Sequence, residues 1–141
     1  MGSSMDKKSD IVESFQSLFG KEELLAKVIE CFPYPIQVYD LHGTSVLVNK
    51  ALLEEYRVSS PDVVVGKYNV FQDPSVIATG QFHVLKLAFQ GETVFFQDVR
   101  VPLKEIAERY GIQDYDVEAI YQDITVFPIL DDKKRVQYVV A

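Results

Sequence analysis

The side chains that most often carry out catalysis or bind metals are scarce in this chain, which has two histidines and one cysteine in 141 residues. Neither His42 nor His83 has a placed nucleophile and carboxylate with which it could form a catalytic triad. Asp114 and Asp116 are paired carboxylates in a predicted turn, but no histidine accompanies them as a further metal ligand. The sequence therefore predicts neither a catalytic centre nor a metal site.

The remaining reactive or charged candidates are also predicted to be structural. Cys31 is the only cysteine, which excludes an intrachain disulfide and a cysteine-rich metal site. We interpret it as a small buried apolar residue rather than a reactive thiol. Asp98, Arg100 and Asp123 interrupt apolar strands and are predicted to face solvent, although Asp123 could contact a polar ligand.

Residues 66–74 form the segment best suited to hold a small molecule. They combine a glycine, Asn69, Asp73 and a proline with the large side chains of Tyr68, Val70 and Phe71. This composition predicts an ordered, partly buried loop, and ligands are disproportionately held by such loops. Asn69 and Asp73 are expected mainly to satisfy backbone groups of the loop, with any ligand contact secondary.

Composition narrows the class of protein. Hydrophobic residues make up 48% and charged residues 25%, as in an ordinary globular domain. The formal charge of −7 argues against a nucleic-acid partner, because phosphate binding needs clustered lysine and arginine. No apolar stretch approaches the length of a transmembrane helix, and no signal peptide is recognisable, so we expect a soluble, cytoplasmic domain without membrane contact.

Two amphipathic helices are predicted before the first strand. The first has Ser9 or Asp10 as its cap, and Pro33 and Pro35 end the second. Their apolar positions, at helical spacing, are Ile11, Val12, Phe15, Leu18 and Phe19 in the first helix and Leu24, Leu25, Val28, Ile29 and Phe32 in the second.

Beyond these helices, strands lie at both ends of a helical middle. A hairpin over 36–48 leads to a short helix capped by Asn49, and a long helix runs over 73–90 with Gly91 as its stop. Strands over 93–101, 117–129 and 136–140 follow, with a helix over 102–111, in which Glu105 and Arg109 pair, between the first two. The pattern predicts an α+β fold with one five-stranded antiparallel sheet and helices on one face.

This order of elements resembles that of PAS sensor domains. The resemblance covers residues 33–141 and is carried by residues 48–51, 66–74, 88–92 and 126–129, which are similar to successive PAS segments. The helix over 102–111 reads as an insertion. We therefore divide the chain into residues 1–9 as a tag or disordered terminus, 10–32 as N-terminal helices, and 33–141 as the PAS domain.

In PAS domains the sheet and the long helix enclose a pocket, and the resemblance implies that a ligand would bind there. The pocket candidates are Tyr68, Asn69, Phe71, Phe82, Leu85, Phe89, Phe95 and Tyr121. The alternative interpretation of the aromatic members is a filled core, because aromatic residues at helical spacing usually pack together.

PAS domains that bind haem or form a flavin adduct have characteristic residues that can be looked for in the sequence. Haem-binding members use a histidine on the long helix, but His83 shares its side of that helix with Lys86 and Gln90, which favours solvent over haem. Photosensory members form a flavin adduct on a cysteine that directly follows an asparagine. Val70 follows Asn69 here, so the sequence argues against that photochemistry and leaves noncovalent flavin binding open.

The resemblance also implies partners. The helices that precede a PAS sheet usually pair with a second subunit, and the first-helix positions Ile11, Val12, Phe15, Leu18 and Phe19 are our candidate dimer interface. The exit helix that leads to an output domain is missing, so we expect a detached, noncatalytic sensor or relay domain of a multidomain signalling protein such as a sensor histidine kinase. The alternatives are a purely structural dimerisation module without a ligand and a small enzyme of an unrelated α+β fold.

Overall fold

The computed structural model describes residues 10–11, 13–14, 21–110 and 117–141. The helices are α1 (Glu22–Cys31), α2 (Lys50–Glu55), α3 (Pro74–Ala78), α4 (Gln81–Phe89) and α5 (Leu103–Tyr110), with 3-10 turns at Pro61–Val63 and Val70–Gln72. The strands are β1 (Gln37–Tyr39), β2 (Ser45–Val48), β3 (Val94–Val101), β4 (Ile120–Leu130) and β5 (Val136–Val140).

The five strands form one antiparallel sheet in the order β2-β1-β5-β4-β3. The last strand of the chain therefore lies between the two hairpins, where Tyr39 pairs with Val139 and Phe127 pairs with Val140. This arrangement confirms the predicted α+β architecture. None of the helices in the described ranges has the length and apolarity needed to cross a membrane.

The hydrophobic core lies on one face of the sheet, beneath α4. Leu85 and Ala88 of α4 are buried against the sheet. The other members of the buried cluster are Tyr39, Val70, Val94, Val126 and Val139. The helices therefore cover a single face, as the sequence predicts.

The opposite face of the sheet is exposed and partly apolar. Val94 is buried, whereas Phe95, the next residue, is 71% exposed because successive side chains of a strand point to opposite faces. A bulge at Gln97 and Asp98 then shifts the register of β3 against β4, and Val99 is buried again. Asp98, Arg100 and Asp123 are exposed, as expected.

Asn49 joins the N-terminal helix to the domain. It is fully buried and caps α2, where its Oδ1 accepts hydrogen bonds from the backbone N–H groups of Leu52 and Ile36 at 3.1 and 2.9 Å. Its Nδ2 donates to three backbone carbonyls in the segment that ends α1 and leads to β1, those of Ile29, Phe32 and Tyr34. The predicted cap is confirmed, and its side chain also bonds to Ile29, which lies 20 residues earlier in the chain.

The single long helix predicted over 73–90 is wrong. The helix is broken into α3 and α4 at Gly80, which adopts a left-handed φ of 74°. Thr79 helps to end α3, because its hydroxyl donates to the Ser75 carbonyl at 2.8 Å. The apolar periodicity runs on through this break and so conceals it.

Other local expectations also need correction. β4 begins at Ile120 rather than at residue 117. Cys31 is exposed at the end of α1, because that helix buries none of its residues, so the expected burial of this thiol is wrong. Arg109 forms an ion pair with Asp73 rather than the expected pair with Glu105. Val12, Phe15, Leu18 and Phe19, the turn carboxylates Asp114 and Asp116, and Gly111 lie outside the described residues.

Candidate functional site

A cavity of about 580 Å³ lies between the inner face of the sheet and the helices that cover it. Its wall is built from β1, the end of α2, residues 63–76, α4, β3, α5 and β4. Much of the wall is apolar, and it includes Leu52, Val58, Val64, Leu85, Phe96 and Val126. This volume lies within the range typical of small-molecule sites.

The loop over 66–74 is fastened to the hairpin by three backbone hydrogen bonds of 2.8 to 3.0 Å. The N–H of Gly66 donates to Ser45, the N–H of Ser45 donates to Tyr68, and the N–H of Val70 donates to Gly43. Since both ends of this stretch are tied to β2 or its turn, the loop is an ordered part of the cavity wall. This confirms the ordered loop predicted from its composition.

Asn69 holds the loop together rather than facing the cavity. Its Oδ1 accepts from the N–H of Phe71 at 2.9 Å, and its Nδ2 donates to the carbonyl of His42 at 2.8 Å. The Phe71 ring lies so close to Gly43 that a Cβ at Gly43 would be 2.5 Å from it. Gly43 also has a φ of +85°, so a side chain there would meet both a clash and backbone strain.

Three of the predicted pocket aromatics form a packed cluster beside the cavity. The Phe71 ring centroid lies 4.6 Å from that of Phe89 and 5.6 Å from that of Phe82. Tyr39 adjoins the cluster, with 6.3 Å between its centroid and that of Phe89. The cluster fills the core at this end of the domain, which agrees with the packing alternative for these residues.

Two pairs of polar side chains line the inner part of the cavity. On β1, the Tyr39 hydroxyl donates to Oε1 of Gln37 at 3.1 Å, and the two residues are 5% and 9% exposed. At the loop, the Tyr68 hydroxyl donates to Oδ2 of Asp73 at 2.6 Å, and Asp73 is 5% exposed. Nearer the surface, Tyr56 donates to Gln122, which in turn donates to Glu55.

Asp73 joins the loop, α3 and the inserted helix α5. It caps α3 through its Oδ1, which accepts from both the backbone N–H and the hydroxyl of Ser75. The same oxygen lies 3.4 Å from Nη1 of Arg109 on α5. Next to Arg109, the ring of Tyr110 packs against the ring of Tyr68 with 6.2 Å between centroids. The inserted helix is thus held to the loop by one ion pair and one ring contact.

Burial keeps the inner hydroxyl groups uncharged. Burial raises the pKa of Tyr39 far above the ordinary tyrosine value, with smaller contributions from Tyr56 and Asp73. The pKa of Tyr68 is likewise raised well above 10.0, chiefly by burial and further by Tyr39 and the Asp73 carboxylate. These tyrosines therefore act as neutral hydrogen-bonding groups at physiological pH.

The predicted pocket residues fall into separate groups. Tyr68, Leu85 and Tyr121 line the cavity, and Tyr121 does so at its rim because it is 68% exposed. Phe71, Phe82, Phe89 and Asn69 lie beside the cavity, whereas Phe95 lies on the other face of the sheet. His83 is exposed on α4 and is not part of the cavity wall. Among the described residues, no three histidine, cysteine or acidic side chains cluster closely enough to hold a metal ion.

Sequence reasoning missed Gln37, Tyr39 and Tyr56 as cavity residues. The alternation over 36–40 does place Gln37 and Tyr39 on one face of a strand. A glutamine on the buried face of an apolar strand was the available signal, because buried amides require partners. Tyr56 gave no such signal, since it follows a short helix whose direction relative to the sheet is set by tertiary packing.

Comparison with known proteins identifies the architecture. No family model and no curated protein matches this sequence. Solved structures do match: the PAS domain of Bordetella pertussis BvgS has a TM-score of 0.56, with 22% identity over 86% of this chain and 82% of that chain. The PAS domain of an HTR-like protein from Haloarcula marismortui has a TM-score of 0.59, with 15% identity over 91% of this chain and 93% of that one. This chain has the PAS fold.

A third similar structure is that of VqmA bound to DPO, with a TM-score of 0.57 and 16% identity over 82% of this chain. This chain spans 54% of the length of that one. At these identities the likeness concerns the fold alone.

Proposed function

We propose that this chain is a noncatalytic PAS sensor or signal-relay domain that binds a small ligand in the cavity between its sheet and helices. The observation that carries the proposal is a cavity of about 580 Å³ with buried polar side chains on its inner wall. A domain whose only task is to hold two subunits together needs no such open space, because protein interiors are otherwise closely packed. The similar structure of VqmA with bound DPO supports the same use of this fold.

The proposed mechanism is a shift between two populations of the domain. A ligand that contacts Tyr68 would bias the Tyr68–Asp73 hydrogen bond, and Asp73 in turn holds α5 through Arg109. A ligand shifts such an equilibrium only by its difference in affinity for the two arrangements. An output domain in the full-length protein, proposed to be a histidine kinase, would then respond to the shift.

Native mass spectrometry of protein purified without refolding tests ligand binding. We expect a small molecule to remain bound to the protein and to be released on denaturation. Val99→Phe places extra volume in the cavity wall and should abolish the bound mass, whereas Val46→Phe, at a site on β2 that is 40% exposed, should retain it. Protein with no bound mass in any preparation would contradict the proposal and favour the structural dimerisation module.

We further propose that the domain forms a homodimer through residues 10–32. In α1, Leu24, Leu25 and Val28 are 36%, 40% and 53% exposed, and Phe32, just beyond its end, is 44% exposed. Ile11, the one described member of the candidate interface, is 57% exposed. Exposed apolar side chains along one side of a helix, as in α1, are typical of a protein–protein contact.

Light scattering on matched variants tests the dimer. Val28→Glu puts a charge on the apolar side of α1 and should halve the measured mass. Ala26→Glu, on the opposite side of the same helix by helical spacing, should leave a dimer. If Val28→Glu remains a dimer, residues 10–32 do not form the interface.

A further inference from the structure

The cavity contains polar groups of a particular kind. Its inner wall carries an amide at Gln37, hydroxyls at Tyr39 and Tyr68, and the carboxylate of Asp73, all set among apolar side chains. The hydrogen-bonding atoms of these side chains that have no protein partner determine which ligands the cavity can bind.

Gln37 has a free end. Its Oε1 accepts from Tyr39, and its Nε2 has no hydrogen-bond partner among the residues that the structure describes, although Gln37 is only 9% exposed. If the amide is turned by half a turn, its nitrogen faces the Tyr39 hydroxyl and its oxygen becomes the free end. In both orientations one uncharged polar group is accessible from the cavity and free to pair with a ligand, because the one buried side-chain atom without a partner among the described residues is Ser45 Oγ.

Asp73, in contrast, is already occupied. Its oxygens accept from the Tyr68 hydroxyl and from both donors of Ser75, and its charge is offset by Arg109 at 3.4 Å. The Asp73 carboxylate is therefore already paired before a ligand enters the cavity.

The cavity wall also offers no buried cation to an anionic ligand. Arg100 is the one lysine or arginine among the lining residues, and it is exposed. The other charged residues of the rim are acidic, namely Glu55 and Asp123. A carboxylate or phosphate brought inside would lose its hydration next to Asp73 without gaining a counterion, which is strongly unfavourable.

We propose that the cavity selects a small uncharged ligand with a hydrogen-bonding group that pairs with the Gln37 amide, and that it rejects carboxylates and phosphates of the same shape. This inference rests on the proposed function, because it assumes that the cavity is the ligand site. The hydroxyls of Tyr39 and Tyr68 remain protonated and give further uncharged contacts in the same space. The apolar part of the wall would take the ring or chain of the ligand.

Ligand-observed NMR with matched probes tests the inference on the full chain. Benzamide and benzoate share a ring and differ in charge, as do indole-3-acetamide and indole-3-acetate. We expect the uncharged member of each pair to bind at least about tenfold more tightly, since the anion finds no buried cation in the wall. Gln37→Leu should weaken binding of the amides about tenfold, because it removes the amide and keeps a similar volume.

Gln137→Leu is the matched control, since it makes the same change at an exposed position of β5 outside the cavity wall. Circular dichroism checks that each variant is folded, and Gln37→Met serves the same purpose if Gln37→Leu does not fold. Anions that bind as tightly as the amides would overturn the ligand class while leaving the sensor function in place. Amides that bind the folded Gln37 variant unchanged would also overturn it. No binding of any probe would count against both the ligand class and the proposed function.

Discussion

Asn49 and Asp73 are both helix N-caps, but their other hydrogen-bond partners differ, and so do their roles. Each is a buried residue that caps a short helix through its side-chain oxygen, at α2 and at α3. All hydrogen bonds of the Asn49 side chain go to backbone groups, whereas Asp73 bonds to one backbone N–H and also to the side chains of Tyr68, Ser75 and Arg109. Backbone partners are fixed by the fold, but side-chain partners can change rotamer. Asn49 therefore holds the domain together, and we propose that Asp73 responds to a ligand in the cavity.

The largest expected effect is at Asn49. Asn49→Ala removes the cap and leaves up to three carbonyls and two N–H groups without their partner, so we expect a loss of about 3 kcal/mol in the free energy of unfolding. Asn69→Ala removes the same side chain from a less buried loop and should cost about 1 kcal/mol. Urea denaturation measures both values. Equal losses of unfolding free energy in the two variants would show that Asn49 does not stabilise the domain more than Asn69 does.

The second largest effect concerns Tyr68, the partner of Asp73, and is the dependence of the free energy of unfolding on pH. The pKa of Tyr68 is raised in the folded state, so the folded protein holds this proton more tightly than the unfolded chain. Its contribution to stability is complete below pH about 10 and is lost as the pH rises above that value. Each such tyrosine should make stability fall by about 1.4 kcal/mol per pH unit in that range.

Tyr68→Phe should reduce this alkaline slope by the amount due to one tyrosine, as measured by urea denaturation at a series of pH values. Tyr34→Phe is the control, because Tyr34 is 70% exposed and solvent reaches its hydroxyl before and after unfolding. A slope that Tyr68→Phe leaves unchanged would show that this hydroxyl is not held in a dry site.

The smallest effect separates the observed ion pair from the one that helical spacing suggests. Arg109→Ala removes the partner of Asp73 and should lower the free energy of unfolding by about 1 kcal/mol, a modest value because the arginine is partly exposed. Glu105→Ala, four residues away on the same helix, should change stability by less than about 0.5 kcal/mol. The reverse order in thermal or urea unfolding would restore the Glu105–Arg109 pair.

The difference between local and long-range contacts explains how much of the structure could be predicted from the sequence. The cap at Asn49 depends on a bond to Leu52, three residues on, and the apolar periodicity of the strands is equally local, so both were predictable. The partner of Arg109 lies 36 residues away at Asp73, and no local rule reports such a contact. The side on which Phe95 lies depends on strand register, which tertiary packing sets.

The cavity was accessible from the sequence only through the resemblance to PAS domains. Its polar wall combines Gln37 and Tyr39 of β1 with Tyr56, Tyr68 and Asp73, and these residues converge only when the sheet is formed. Aromatic spacing alone indicated the packed cluster around Phe71, which lies beside the site. Local sequence patterns thus predicted the packed residues around the site, whereas its polar side chains come together only through long-range strand pairing.

The central claim is that the space next to Asp73 is a ligand site, and a crystal structure of protein purified without refolding tests it most directly. We predict electron density for a small uncharged molecule within hydrogen-bonding distance of the Gln37 amide, with the Tyr68–Asp73 hydrogen bond beside it. A structure in which Tyr56, Tyr68 or Tyr110 turns inward and fills the cavity, leaving no room for a ligand, would contradict the account.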